Sequence, residues 1–195
     1  MKICNRIIFV GQSGSCREPM AAGILREFPL KYQPEILARG LVVQFPEPMN
    51  QKAEAVLISN GIKTDGFISR QLEAEDITNE TLILTMENVH RELVLEKFPD
   101  LNPDNVCVLS EFVGDELEIL DPYGGALPNY GLCYESLRAT IKKLVKIINE
   151  GECNGKSSSI GSSIDSTQTQ HSSRQKHKHK RFSSINQRNL YAYDL

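Results

Sequence analysis

Residues 7–19 read Ile-Ile-Phe-Val-Gly-Gln-Ser-Gly-Ser-Cys-Arg-Glu-Pro, and this stretch decides the fold class. Residues 7–10 form a short apolar run rich in β-branched side chains, which is typical of a buried strand. The residues that follow are small or polar as far as Cys16, and Pro19 then suits the first turn of a helix. The sequence therefore predicts a strand, a tight loop and a helix in immediate succession.

The rest of the chain repeats this alternation of strands and helices. Further strands are predicted over residues 35–38, 81–85 and 106–110. Helices are predicted over residues 19–28, 50–60, 87–98 and 128–149, with Asn50 as an N-cap and Gly61 as a terminator. The order indicates an α/β fold, a four-stranded parallel sheet with helices on both faces. Ligands of such sheets bind at the carboxyl ends of the strands, so we expect the phosphate-binding loop after strand 1.

The residue types in that loop suit an oxyanion. Small residues allow successive backbone N–H groups to turn inward, and the helix N-terminus adds partial positive charge. An arginine at the end of the loop offers a planar fork for two phosphate oxygens. The phosphate-binding residues predicted on this basis are Gln12, Ser13, Gly14, Ser15, Cys16 and Arg17.

Composition indicates a globular domain without a membrane span. Of the 195 residues, 40% are apolar and 24% are charged, and residues 1–152 suffice for one packed domain. No apolar run approaches the roughly 20 residues that a membrane span needs. The short apolar run near the N-terminus is also too short for a signal peptide. We therefore expect a cytoplasmic protein.

Cysteine and histidine usage argues against metal or disulfide chemistry. The five cysteines are an odd number and form no Cys-x-x-Cys pair, and His90 is the single histidine in residues 1–152. We expect reduced thiols, no metal and no cofactor. His90 falls in the predicted helix 87–98, where we expect a surface position.

Residues 153–195 differ in charge and composition from the domain. The formal net charge of −3 combines +5 on residues 153–195 with −8 on residues 1–152. The Ser-, Thr-, Gln- and Gly-rich part cannot bury enough apolar surface to form a core, which predicts a disordered basic tail. We favour a solvated basic tail with no dedicated ligand. As alternatives, the run 175–181 could attract an anionic surface, the acidic domain or a metal, and Tyr191 and Tyr193 could accept phosphate. We expect no nucleic-acid partner.

Residues 7–21 resemble the opening of the low-molecular-weight protein tyrosine phosphatases, which share their fold with some arsenate reductases and protein-arginine phosphatases. Four further stretches match the family in its order: Ala38-Arg-Gly-Leu41, Ser69-Arg-Gln-Leu72, Leu82-Ile-Leu-Thr-Met86 and Asp121-Pro-Tyr-Gly-Gly125. The resemblance implies attack of a thiolate on phosphorus, a phosphocysteine intermediate and an aspartic acid that protonates the leaving group. The family's loop arginine matches Arg17, and its general acid matches Asp121.

The family's nucleophile is absent from this chain. Gly11, which has no side chain, stands six positions before Arg17, where the resemblance implies the catalytic cysteine. Cys16 aligns with a second cysteine that some members carry, implied there to be a disulfide partner of the nucleophile. The family's hydroxyl residue after the arginine is Glu18 here, and its Gly-Asn pair inside the loop appears as Ser13-Gly14.

Three residues, Glu18, Asp121 and Tyr123, have alternative interpretations. Because a helix N-terminus and an arginine favour an anion, Glu18 could replace the thiolate charge and weaken phosphate binding by repulsion. Equally, it could be an ordinary acidic residue in the first turn of a helix. The Asp121-Pro segment before two glycines is also ordinary turn chemistry, and Tyr123 could either stack on a substrate ring or pack locally.

Three classes of function remain open from the sequence. We favour a catalytically impaired member, a pseudophosphatase that binds phosphorylated protein, chiefly phosphotyrosine, or a free oxyanion in a regulatory role. The resemblance also implies a tyrosine kinase as a further partner. The second class is an active phosphotyrosine or phosphoarginine phosphatase that uses Cys16, Glu18 or a water activated by Asp121. The third is a structural or interaction protein whose pocket binds nothing.

Overall fold

The computed structural model describes residues 4–64 and 66–151, which form one α/β unit. Its strands are β1 (Arg6–Gly11), β2 (Glu35–Gly40), β3 (Thr81–Thr85) and β4 (Val106–Val108). Its α-helices are α1 (Arg17–Arg26), α2 (Gln51–Ser59), α3 (Asn88–Lys97), α4 (Leu109–Phe112) and α5 (Leu127–Glu150). Short 3-10 turns occupy Ala74–Asp76 and Pro103–Asn105. The tail predicted over residues 153–195 lies outside the described residues.

The four strands form one parallel sheet in the order β2-β1-β3-β4. At the middle of β1, Phe9 pairs with Ala38 of β2 and with Leu84 of β3. Parallel pairing brings the carboxyl ends of all the strands to one edge of the sheet. The predicted four-stranded parallel sheet is confirmed, and the loop after β1 leaves its centre.

Apolar side chains alternate between the two faces of the sheet, and helices cover both faces. Phe9 packs into a cluster with residues of α1, α2 and α5, whereas Ile8 and Val10 pack with Val94 of α3. Each fully buried side chain of this size stabilises the fold by about 1.5–3 kcal/mol. The central strand is therefore held from both sides, which fixes the loop that follows it.

α5 is the longest helix and shows the apolar face that its spacing predicts. The positions expected at intervals of three or four are all buried, and they are Tyr130, Cys133, Leu137, Ile141, Leu144 and Ile148. The helix ends at Gly151, whose φ of 80° lies in the left-handed region. Within residues 4–64 and 66–151, the helices lack the combination of length and apolarity that a membrane crossing requires.

The structure shifts the ends of several predicted elements and confirms one cap. α1 begins at Arg17, so Pro19 is its third residue and not its first. β4 ends at Val108, where its pairing with β3 ends, and Ser110 belongs to the short α4 and not to the strand. The Asn50 side chain accepts hydrogen bonds from two N–H groups in the first turn of α2, as expected of an N-cap.

Candidate active site

The loop between β1 and α1 packs directly against the end of β2. Gly14 has a φ of 68°, a conformation that glycine adopts without steric cost. A Cβ atom on Gly14 would lie 2.5 Å from the backbone nitrogen of Gly40. A Cβ atom on Gly40 would lie 2.6 Å from the carbonyl oxygen of Ser13. Neither glycine has room for a side chain, so backbone contact with β2 sets the shape of the loop.

Hydrogen bonds hold the loop carbonyls against neighbouring segments. The N–H of Leu41 donates to the carbonyl of Gly11 at 2.9 Å, and the N–H of Asn50 donates to the carbonyl of Ser15 at 2.8 Å. These two hydrogen bonds tie the loop to the residue after β2 and to the start of α2. The N–H of Cys16 donates inward to a carboxylate oxygen at 3.4 Å.

That carboxylate belongs to Glu18, the second residue of α1, whose side chain turns back into the loop. Glu18 is only 3% exposed. A Cβ atom on Gly11 would overlap Oε1 of Glu18 and lie 2.7 Å from its Cδ. The carboxylate therefore occupies the volume that any side chain at position 11 would need. Burial raises the pKa of Glu18, although the Cys16 N–H and the Arg17 guanidinium act in the opposite direction.

Arg17 is buried and joins three segments of the chain. Its Nη1 donates to the carbonyl of Ile119 at 2.6 Å. Its Nη2 donates to Oε1 of Glu87 at 2.5 Å and to Oδ2 of Asp121 at 3.1 Å. The Arg17 side chain is 3% exposed. The guanidinium predicted to bind phosphate is thus engaged by two carboxylates and a carbonyl of the protein itself.

Asp121 lies at the mouth of the site, at the position that the resemblance gives to the general acid. Its Oδ2 accepts from Arg17, and its Oδ1 accepts the N–H of Tyr123 at 3.0 Å, which is an Asx turn. The side chain is 46% exposed, and Tyr123 is exposed as well. Asp121 therefore faces solvent and Arg17 together and forms the expected turn, whereas its role as a general acid stays a prediction.

Cys16 does not have the surroundings of a reactive thiol. It is buried, and burial, with help from the nearby Glu18 carboxylate, raises its pKa to about 12. Cys133 of α5 lies close by, and burial raises its pKa to about 12 as well. Both are free thiols. At neutral pH they stay protonated, and protonated thiols are poor nucleophiles.

The remaining predicted loop residues lie at the rim and floor. Gln12 and Ser13 are exposed, whereas Gly14 and Ser15 are buried. The hydroxyl groups of Ser13 and Ser15 are 3.0 Å apart. The residues predicted for phosphate binding thus run from the exposed Gln12 and Ser13 to the buried Arg17, which begins α1.

Sequence reasoning missed two partners of Arg17 and misplaced His90. Glu87 follows β3 and Ile119 precedes Asp121, so both reach the edge of the sheet where the strands end; an acid just after a central strand is the pattern that points to Glu87.

His90, expected at the surface, is buried, because the side of α3 that carries it packs inward. Its Nδ1 has no hydrogen-bond partner among residues 4–64 and 66–151, and burial lowers its pKa. Over the same ranges, no cluster of three His, Cys, Asp or Glu side chains is placed to hold a metal ion.

Sequence comparison identifies relatives that cover the whole domain. The family model for low molecular weight phosphotyrosine protein phosphatases matches residues 6–154. A protein-arginine-phosphatase from Geobacillus stearothermophilus is 32% identical over 142 residues, which is 72% of this chain and 94% of that protein. The low molecular weight protein-tyrosine-phosphatase PtpB of Staphylococcus aureus is 32% identical over 143 residues, 73% of this chain and 99% of that protein.

Solved structures agree with these relatives. The low molecular weight protein tyrosine phosphatase from T. tengcongensis superposes with a TM-score of 0.68 at 30% identity, over 72% of this chain and 97% of that one. The YwlE arginine phosphatase from Geobacillus stearothermophilus gives a TM-score of 0.67 at 29% identity, over 75% of this chain and 94% of that one. With its parallel sheet, its loop after β1 and these relatives, the chain belongs to the low molecular weight phosphotyrosine protein phosphatase family.

Proposed function

We propose that this chain is a catalytically impaired member of the family, a pseudophosphatase that acts as a binding or regulatory module for phosphorylated protein. One observation carries the proposal: position 11 has no side chain, and the carboxylate of Glu18 fills the space that one would occupy. The family reaction, as implied by the resemblance, needs a thiolate at this position. The chain offers no thiolate there.

The nearest thiol does not repair this loss. Cys16 is buried beside Glu18, with a pKa raised to about 12, so its thiolate is scarce at neutral pH. Asp121 matches the general acid that the resemblance implies, but proton donation to a leaving group accelerates nothing unless an attack on phosphorus takes place. These features support loss of turnover with retention of the loop itself.

The ligand class follows from the relatives and from the loop. The named relatives are phosphatases of phosphotyrosine or phosphoarginine, and the loop here keeps a helix N-terminus, a Cys16 N–H that donates to a carboxylate, and an arginine at its end. We therefore take phosphorylated protein as the ligand, with phosphotyrosine favoured and phosphoarginine as the alternative. A tyrosine kinase that makes such a ligand is the corresponding partner.

Turnover of an aryl phosphate tests the catalytic half of the proposal. We expect the native chain to hydrolyse p-nitrophenyl phosphate no faster than buffer at pH 5.5 and pH 7.5. Turnover that Cys16→Ser abolishes would show a displaced thiol nucleophile, and turnover that Glu18→Gln abolishes would show a carboxylate nucleophile. Either result contradicts the proposal.

Peptide binding tests the other half. Fluorescence anisotropy with one peptide in phosphotyrosine, phosphoarginine and unmodified forms would measure the contribution of the phosphoryl group. We expect a phosphorylated form to bind more tightly than the unmodified peptide. Equal affinities for all three forms would exclude a phosphoprotein-binding role and would favour an interaction protein with a silent pocket.

A further inference from the structure

We propose that the Glu18 carboxylate is an intramolecular occupant of the oxyanion loop, standing in for the side chain that Gly11 lacks, and that it competes with external oxyanions. The inference rests on the proposed function, since it concerns the same loop, and it adds how access to that loop is regulated. Gly11 and Glu18 then form a coupled pair, so that the residue tolerated at one position depends on the residue at the other.

The volumes of the two residues are complementary. Oε1 of Glu18 lies about one covalent bond length from the place of a Cβ atom on Gly11, where the next side-chain atom of a larger residue would stand. A larger residue at position 11 would have to displace the Glu18 carboxylate from its buried position. The space left by the missing side chain of Gly11 is thus filled by the side chain of Glu18.

The carboxylate uses groups that an external oxyanion would need. Its Oε2 accepts the N–H of Cys16, and it lies at the start of α1, where the partial positive charge of the helix is greatest. These are the interactions with which such a loop holds phosphate. Since Glu18 is part of the same chain, it is present at the loop without any loss of translational freedom.

The net charge around Arg17 adds to this competition. Glu87 and Asp121 already bind the guanidinium, and Glu18 is the third acid within its electrostatic reach. An incoming phosphate dianion would meet three carboxyl groups against one guanidinium. Removal of Glu18 both empties the loop and takes one acid out of this set. It should therefore raise the phosphate affinity more than removal of Glu87 or Asp121 would.

Binding of inorganic phosphate provides the test. We would titrate the full chain with phosphate and follow backbone amide shifts of residues 12–17 by NMR, for native protein, Glu18→Ser and Glu18→Gln. We expect Glu18→Ser to bind phosphate at least about tenfold more tightly than native protein, because the substitution frees the Cys16 N–H and removes an acid near Arg17. Glu18→Gln keeps the volume without the charge and should fall between them. Glu27→Gln, at the exposed end of the same helix, is the matched control and should leave the affinity unchanged.

Thermal unfolding gives a second, independent measurement that requires no ligand. Gly11→Ala should lower the Tm of the native chain by about 5 °C or more, because the new methyl group overlaps Glu18. In a Glu18→Ser background the same substitution should cost much less. Additive losses in the double variant would show that the two positions do not share one volume, and would overturn the inference.

The outcomes separate this inference from the proposed function. Equal phosphate affinity of native protein and Glu18→Ser, including binding to neither, overturns the role of Glu18 as occupant whatever the native chain does with peptides. Turnover of aryl phosphate by the native chain overturns the proposed function. The inference about Glu18 then still depends on the phosphate affinity of Glu18→Ser relative to that of native protein. If Glu18→Ser fails to fold, the phosphate titration with Glu18→Gln decides the question, and equal phosphate affinities of Glu18→Gln and native protein then overturn the inference.

Discussion

Restoring catalysis to this loop should require two substitutions and not one. Glu18 fills the space of a side chain at position 11, so Gly11→Cys by itself places a thiol on top of a carboxylate. Gly11→Cys combined with Glu18→Ser removes that overlap and also returns the hydroxyl residue that the family carries after its arginine. We expect the double variant to hydrolyse aryl phosphate and the single variant to be far less active.

The size of the difference follows from the geometry. If Glu18 yields just enough to admit the thiol, the two groups remain in contact at about 4 Å, where like charges at an effective dielectric constant of 20 repel by about 4 kcal/mol. One pKa unit corresponds to about 1.4 kcal/mol, so the pKa of the new thiol would rise by about three units. For a thiol that starts from the ordinary cysteine pKa of about 8.5, the thiolate fraction at neutral pH would then fall about a thousandfold. Steric strain of about 1–3 kcal/mol would add a loss of stability in the single variant.

The assay is initial-rate hydrolysis of p-nitrophenyl phosphate from pH 5 to pH 9, with native protein, both single variants and the double variant. Adding Asp121→Asn to the double variant is the control for proton donation, and it should slow turnover by 10²–10⁴-fold, the range typical of a lost general acid. Comparable rates for Gly11→Cys with and without Glu18→Ser would refute the steric and electrostatic coupling. An inactive but folded double variant would show that the loop has lost more than its nucleophile.

Three further predictions concern the same residues. Because burial raises the pKa of Glu18, its contribution to the free energy of unfolding is largest below its unfolded pKa of about 4.5 and falls as pH rises through its folded pKa. In urea unfolding, native protein should therefore lose free energy of unfolding relative to Glu18→Gln between pH 4 and pH 8. A difference between the two proteins that does not change with pH would contradict this prediction. Arg17→Lys should lower the free energy of unfolding by about 2–4 kcal/mol, since a lysine cannot donate hydrogen bonds to Ile119, Glu87 and Asp121 in the same geometry. A loss under about 0.5 kcal/mol in urea titrations would show that those contacts do not stabilise the fold. Cys16 and Cys133 should resist iodoacetamide at pH 7.5 in the native chain and react after denaturation, as peptide mass spectrometry would show, because burial raises the pKa of each to about 12.

Sequence patterns predict the layers of this fold well. The alternation of apolar runs and helical periods is a local property, and β1, β3 and the buried face of α5 follow it closely. The errors fall where tertiary contacts decide the outcome. β4 ends at the last residue that pairs with β3, and His90 is buried by the packing of α3. A local sequence pattern contains neither of these contacts.

The candidate site was predictable as a loop but not as a network of contacts. Gly11 and Glu18 are both visible in the sequence as departures from the family, and the charge of Glu18 suggests a replacement for a thiolate. The sequence does not show that the carboxylate turns into the loop, since that depends on how α1 begins at Arg17. The capture of Arg17 by Glu87 is likewise a long-range contact between residues 70 positions apart.

The contact between Gly14 and Gly40 has a consequence for any attempt to read activity from the shape of this loop. A substitution at either glycine would push a side chain into the opposite backbone, so packing alone restricts both positions. The shape of the loop therefore results from its packing against the end of β2. It would persist in a chain that performs no chemistry, and an intact loop backbone by itself is no measure of whether an enzyme of this family works.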